Sequence, residues 1–277
     1  MPGGNVNEQQ SNRLEKALGE LKAGGRKALV IYLMAGDPDK GFTESLVPEL
    51  AQAGADVVEL GFPFSDPVAD GPVIQAAATR AMASFRGLGD YLDLIARIRK
   101  KSSIPLVTMT YYNPIFRYGE EAFARDAVQA GLDGAIIPDL PVDEAGQWTD
   151  ICGQAGLCPV LLDAPNSDED HSRRIAAAAR GFIYLVSLKG VTGTDQGLGE
   201  NLAERVNRLR GFSDTPLVVG FGISTPEQAR QVGAISDGVV VGSGAVSRIF
   251  SAPGPAEARR QVLDYVRALR AGLDSAV

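Results

Sequence analysis

Ala53-Gly54-Ala55-Asp56-Val57-Val58 is echoed twice more along the chain, as Ala130-Gly131-Leu132-Asp133-Gly134-Ala135-Ile136 and as Gly233-Ala234-Ile235-Ser236-Asp237-Gly238-Val239-Val240. In each copy a glycine can end a helix in the left-handed conformation, an Asp turns the chain and an apolar strand starts. One helix-to-strand joint is being reused. Outward from these joints, short β-branched runs alternate with longer stretches of helical periodicity, the pattern of repeated βα units around a parallel sheet. Strands are expected at 29–34, 56–61, 105–109, 134–138, 159–163, 182–187, 216–220 and 237–241. Helices are expected near 43–53, 72–83, 88–100, 120–130, 143–155, 168–179, 200–210 and 225–232, with a leading helix near 8–22 and a closing one near 255–271. Eight strands, each followed by a helix, predict an α/β fold, a (β/α)8 TIM barrel with an extra N-terminal helix, over an open doubly wound sheet, which fewer and larger units would suit better. No Gly/Ser-rich linker interrupts the series. Residues 1–277 therefore read as one domain, with 1–7 disordered.

The composition limits the partners. Of 277 residues, 45% are hydrophobic and 22% charged, and the formal charge of −7 removes the basic patches that nucleic acid or an anionic membrane would need. The polar segment from Met1 to Asn12 lacks the pattern of a signal peptide, and no apolar run is long enough to span a bilayer, so a cytoplasmic location is expected. Cys152 and Cys158 have no histidine close in sequence, and the one histidine, His171, lies in a polar stretch. Neither a disulfide framework nor a zinc site is expected.

In a TIM barrel, function sits on loops at the carboxyl ends of the strands, and phosphate is often held after strands seven and eight. Gly220-Phe221-Gly222-Ile223-Ser224 and Val241-Gly242-Ser243-Gly244-Ala245 stand at those two places, the second opening a short helix. Glycines let backbone N–H groups approach an anion, and a helix N-terminus adds partial positive charge. After the sixth strand, residues 189–199 carry four glycines in eleven positions and read either as a lid, 188–199, or as a plain connection. On the second strand, alternation puts Val58 and Leu60 on one face and Val57, Glu59 and Gly61 on the other, so Glu59 sits among small apolar neighbours. A proline-punctuated loop leads from it to Asp70. Glu59 is thus either an ion-paired carboxylate at a barrel end or half of an acid pair for proton transfer, and Asp70 alone reads equally as a turn or cap residue. Tyr111, Tyr112 and Tyr184 read as packing at the barrel mouth.

Taken together, Glu59 to Gln75, Tyr111-Tyr112-Asn113-Pro114, Pro138-Asp139-Leu140-Pro141, Gly190-Val191-Thr192-Gly193, Gly220 to Ser224 and Gly242-Ser243 closely resemble the α subunits of tryptophan synthase, in order and spacing, from about Leu29 to Phe250. The resemblance implies cleavage of indole-3-glycerol phosphate to indole and glyceraldehyde 3-phosphate, a retro-aldol reaction. It assigns proton transfer to Glu59 and contact with the indole N–H to Asp70. It places the phosphate on backbone N–H groups of Gly193, Gly222, Gly242 and Ser243 and on the Ser243 hydroxyl. Phe221 and Tyr184 match positions that flank the indole or contact the catalytic Glu, and Thr192 matches a lid threonine that bonds to the Asp on closure.

The same resemblance implies no metal and no cofactor on this chain, pyridoxal phosphate on a partner β subunit that receives the indole, and a heterotetramer of two α and two β chains. The docking surface would combine loop 62–70, the segment Asn113 to Tyr118 and the loop after Asp139. Two other functions use the same acids: a stand-alone lyase, and a weakly active subunit that serves mainly as an allosteric activator of β. The chain departs from its relatives at Leu188-Lys189, at Met34 and at Gly244, where a more usual alanine is missing and a looser phosphate-binding helix is expected.

Overall fold

The computed structural model describes residues 12–187, 196–220 and 222–275. The expected N-terminal disorder at 1–7 and the expected lid over 188–195 lie outside these residues. Eight parallel strands close into a barrel in sequence order: β1 (Ala28–Met34), β2 (Val57–Gly61), β3 (Leu106–Met109), β4 (Gly134–Ile136), β5 (Cys158–Asp163), β6 (Ile183–Val186), β7 (Leu217–Gly220) and β8 (Gly238–Val241). The ring is sealed by β8 beside β1, with Ala28 opposite Gly238 and Val30 opposite Val240. The fold is the (β/α)8 TIM barrel that the repeated joints indicate, and every strand is within two residues of its expected bounds.

Around the barrel run α1 (Arg13–Ala23), α2 (Lys40–Ala53), α3 (Pro72–Ala81), α4 (Leu88–Arg99), α5 (Tyr112–Tyr118), α6 (Glu120–Ala130), α7 (Gly146–Ala155), α8 (Glu169–Ala178), α9 (Gln196–Arg210), α10 (Pro226–Gly233), α11 (Ser243–Ser251) and α12 (Pro255–Asp274). Two bounds correct the sequence reading. Residues 196–199, expected to belong to the lid, already form the first turn of α9. Helix α5 has no counterpart among the expected helices. Pro114 is third in that helix, where its N–H would have no intrahelical partner anyway, so the ring costs no hydrogen bond.

Side-chain parity divides the core into two layers. Val30, Val57, Val107, Ile136, Val160, Phe182, Val218 and Val240 point inward and fill the lower barrel, whereas Leu29, Ile31, Val58, Leu60 and Leu106 point outward against the helices. Leu14, Leu18 and Leu21, on one face of α1, join the inner layer and plug the amino end of the barrel. The open end is therefore the carboxyl end of the strands.

The reused joint has a physical basis, and its invariant member is the Asp. Asp56, Asp133 and Asp237 each accept the N–H of the first or second residue of the preceding strand, Leu29, Leu106 and Leu217, at 2.8 Å. Each also gives its own N–H to that residue's carbonyl and pairs with an arginine: Arg270, Arg99 and Arg210 respectively. The glycine is less constant. Gly54 and Gly131 are left-handed, at φ 109° and 106°, but the third helix ends through Ala234 at φ −62°, against the expectation for Gly233.

Candidate active site

Glu59 sits at the centre of β2, directly opposite Tyr32 of β1, and both face into the barrel. The alternation that buries Val57 in the lower layer brings Glu59 out one storey higher, at the floor of a cavity of about 680 Å³. That volume falls in the usual range for a small-molecule site. Glu59 is 1% exposed, and its Oε2 is enclosed without a hydrogen-bond partner. No lysine or arginine among the described residues pairs with it, which removes the reading of Glu59 as a structural ion pair. Burial, reinforced by the negative charge of Asp70, pushes its pKa up to about 8.

Asp70 lies in the same wall, at the end of the proline loop and just before α3. Burial raises its pKa too, but the Tyr111 hydroxyl donates to its Oδ2 at 3.1 Å and works in the opposite direction. Tyr111 in turn accepts the Ala69 N–H at 2.9 Å, and its ring stacks on Phe64 at 5.2 Å. One tyrosine thus fixes both the carboxylate and the loop that carries it. Tyr111, read from sequence as mouth packing, is a partner of the acid pair. The signal was available: Tyr111 lies two residues beyond inward-facing Met109, in the same parity.

Of the nine expected site residues, Glu59, Asp70, Tyr184, Gly222, Gly242 and Ser243 all line this one cavity. Thr192, Gly193 and Phe221 lie outside the described residues. Gly222 holds φ at +81°, a conformation that L side chains rarely adopt, and Gly242 precedes the first turn of α11, whose leading N–H groups have no acceptor within the helix. Much of the rest of the lining is apolar, including Ile136, Leu162 and Val186. A flat aromatic ring can lie there while an anion rests on the two glycine segments.

Two tyrosines shape the mouth, each leaning over a glycine on the next strand. A Cβ at Gly61 would stand 2.1 Å from the Tyr32 hydroxyl, and one at Gly220 would stand 2.1 Å from that of Tyr184. Burial and the two carboxyls raise both phenols well above their usual range, so they stay neutral donors. Gly220→Ala is therefore expected to expel the Tyr184 ring. Overpacking of this kind costs about 1–3 kcal/mol of stability, and kcat/KM should drop by roughly tenfold or more as that wall of the cavity is displaced; thermal melts and steady-state kinetics check both.

Other side chains are better placed than sequence alone indicated. His171 lines the cavity and lies 3.8 Å from Asp143. Asp139 accepts the Tyr112 N–H at 2.8 Å and so locks the Pro138-Asp139 motif to the Tyr111-Tyr112 motif. Met34 fills the space between α3 and α11, against Ala77, Ala78, Ala81 and Val246. Cys152 and Cys158 are free and buried, and burial pushes both thiols up. Among the described residues no group of three His, Cys, Asp or Glu could hold a metal ion, and no helix is long and apolar enough to cross a membrane.

The family model described as "Tryptophan synthase alpha chain" matches residues 18–275. The chain belongs to the tryptophan synthase α-chain family. It is 48% identical over 259 residues to the tryptophan synthase α chain of Geobacter sulfurreducens, covering 94% of this chain and 98% of that one. The α chain of Caldanaerobacter subterraneus is 43% identical over 94% and 98% of the two lengths. Among solved structures, tryptophan synthase subunit α of Legionella pneumophila superposes with a TM-score of 0.88 at 38% identity, covering 95% of this chain and 99% of that one. A chain of tryptophan synthase from M. tuberculosis, in its aminoacrylate-bound form, gives 0.83 at 34% identity over 95% and 99%. As a member of this family, the chain carries the lyase half-reaction, cleaving indole-3-glycerol phosphate to indole and glyceraldehyde 3-phosphate.

Proposed function

We propose that Glu59 is the one group that both gives and takes the proton in this cleavage, and that Asp70 is the anion that holds the indole nitrogen. The observation that carries the assignment is a buried, unpaired carboxyl facing the cavity beside a second acid. With its pKa near 8, Glu59 enters the reaction protonated at neutral pH. Its proton goes to indole C3, and the ring becomes an indoleninium cation. Asp70 accepts the ring N–H and stabilises that charge, an interaction that strengthens toward the transition state. The Glu59 carboxylate then removes the proton of the hydroxyl next to the ring. As the carbonyl forms, the carbon–carbon bond breaks, its electron pair restores the indole ring, and Glu59 is protonated again. One acid closes the cycle without an outside base.

The phosphate would rest on backbone N–H groups of Gly222, Gly242 and Ser243 and on the Ser243 hydroxyl, with the indole beside Tyr184. For Gly193, Thr192 and Phe221 the family resemblance implies the phosphate, lid and indole roles given above.

The reading includes a partner. Val68 is 82% exposed and Phe116 65% exposed, on two of the three segments expected to dock a β chain. Large apolar side chains held out in this way favour a docking surface beside the barrel mouth, and two α with two β chains is the assembly expected. Pyridoxal phosphate belongs to that β chain, and a cytoplasmic location suits the pair. The test is indole release from indole-3-glycerol phosphate, alone and with a β chain added. Cleavage that rises on addition of β supports the reading. Fast cleavage indifferent to β favours the stand-alone lyase, and negligible cleavage in both states would leave only the activator role.

A further inference from the structure

Both segments of the proposed phosphate cradle are held from behind by a residue that does not reach the cavity. Tyr265, on α12, is 6% exposed and donates its hydroxyl proton to the Ser224 carbonyl at 2.8 Å. Ser224 ends the loop that begins at Gly222, and its N–H is already taken by Gln228 Oε1 at 2.8 Å, so both faces of that peptide segment are tied down. The same Tyr265 hydroxyl occupies the space beside Gly244, in the first turn of α11. A Cβ at Gly244 would stand 2.3 Å from it. Arg248 completes the packing: its guanidinium lies over the Tyr265 ring at 3.6 Å and donates to the Gly244 carbonyl at 2.7 Å.

This overturns the expectation that glycine at 244 loosens the helix, because the volume that alanine would fill is filled by the tyrosine hydroxyl. Seven residues further along the same face of α12, Gly272 lies against the backbone of Pro226, where a Cβ would meet the carbonyl oxygen at 2.5 Å. Helix α12 is thus seated at two points two turns apart, on Ser224 in the loop after β7 and on Pro226, the first residue of α10. At the first of these points it also touches α11. The cradle's two halves come from different βα units, and nothing in the ladder between β7 and β8 fixes how their loops sit beyond the strand ends.

We propose that Tyr265 is a positioning residue for phosphate binding: it sets the loop after β7 and the first turn of α11 at the spacing that lets their N–H groups converge on one anion, and Gly244 is present to admit its hydroxyl. The proposal rests on the reading of Gly222, Gly242 and Ser243 as the phosphate cradle. It predicts a loss of substrate affinity without a loss of chemistry, because Glu59 and Asp70 lie on other elements.

The test uses the full chain with its β partner and three variants, Tyr265→Phe, Gly244→Ala and the double variant, with glycerol 3-phosphate as binding probe. Tyr265→Phe should raise the probe's Kd and the substrate KM by about threefold to tenfold, the usual worth of one hydrogen bond, while kcat changes by less than about twofold. Gly244→Ala should weaken the probe more, and should cost less in the Tyr265→Phe background than in the wild type, since contacting residues couple. Thermal melts confirm that each variant folds, and Tyr265→Phe is conservative enough to answer even if Gly244→Ala does not fold. An unchanged Kd in Tyr265→Phe overturns the proposal, as do an equal fall in kcat and additive effects of the two changes. Ser243→Ala separates the two levels. If it leaves the probe's Kd unchanged, the cradle reading fails. If it weakens the probe while Tyr265→Phe does not, only the role of Tyr265 fails.

Discussion

Glu59→Gln is expected to lower kcat for indole release by about three orders of magnitude or more, the loss that removing the proposed single acid–base group of the reaction predicts. The amide matches the carboxyl in shape and can neither protonate C3 nor accept the hydroxyl proton. Ligand affinity is expected to stay within about twofold of wild type, since the phosphate groups are elsewhere. The same substitution has an opposite effect on stability. The native state keeps the Glu59 proton up to a pH of about 8, while an unperturbed glutamate releases it near 4.5. The native state therefore binds more protons across that window, and wild-type stability falls as pH rises from about 4.5 to 8 and is level above it. Gln carries no such penalty. Its variant should be more stable than wild type by a few kcal/mol at pH 8, with the gap closing toward pH 4.5. Thermal or urea unfolding of both proteins across that range reads the effect. A catalytic loss paired with a pH-dependent gain in stability is hard to obtain from misfolding.

Asp70→Asn is expected to lower kcat by about two to three orders of magnitude, the scale at which a preorganised electrostatic partner of the transition state contributes. Tyr111 can still donate to the amide oxygen, so the loop should keep its shape and the loss reflects charge alone. A second signature distinguishes this from simple damage. Because the Asp70 charge helps to raise the Glu59 pKa, removing it lets Glu59 ionise more easily. The high-pH limb of the residual activity should therefore move to lower pH. A variant whose activity fell while that limb stayed in place would contradict the coupling between the two acids.

Much of the fold could be read because its signal is local. Alternation in Val57-Val58-Glu59-Leu60-Gly61 sorted the two faces of β2 correctly, and the Asp of the repeated joint performs the same pairing at Asp56, Asp133 and Asp237. The helix at Tyr112–Tyr118 was hidden because a proline in a first turn and a proline in a loop look alike in sequence. In the site, the residues borne by short motifs were readable, and six of them meet at one cavity. The supporting contacts were not. Tyr111 reaches Asp70 across 41 residues, and Tyr265 reaches Ser224 across the same distance in sequence. Neither has a periodicity to announce it. Gly244 misled for a related reason: the side chain that completes its surroundings arrives from another helix.

The central claim is that burial keeps Glu59 protonated at neutral pH so that it can act first as an acid. The direct measurement is the titration of the Glu59 carboxyl in the free enzyme, by difference infrared or carbon NMR against Glu59→Gln, alongside the pH dependence of kcat/KM. A carboxyl that ionises near pH 8, with kcat/KM falling around the same midpoint, is the predicted result. A Glu59 already ionised at pH 5 to 6, with activity undiminished through pH 9, would contradict it.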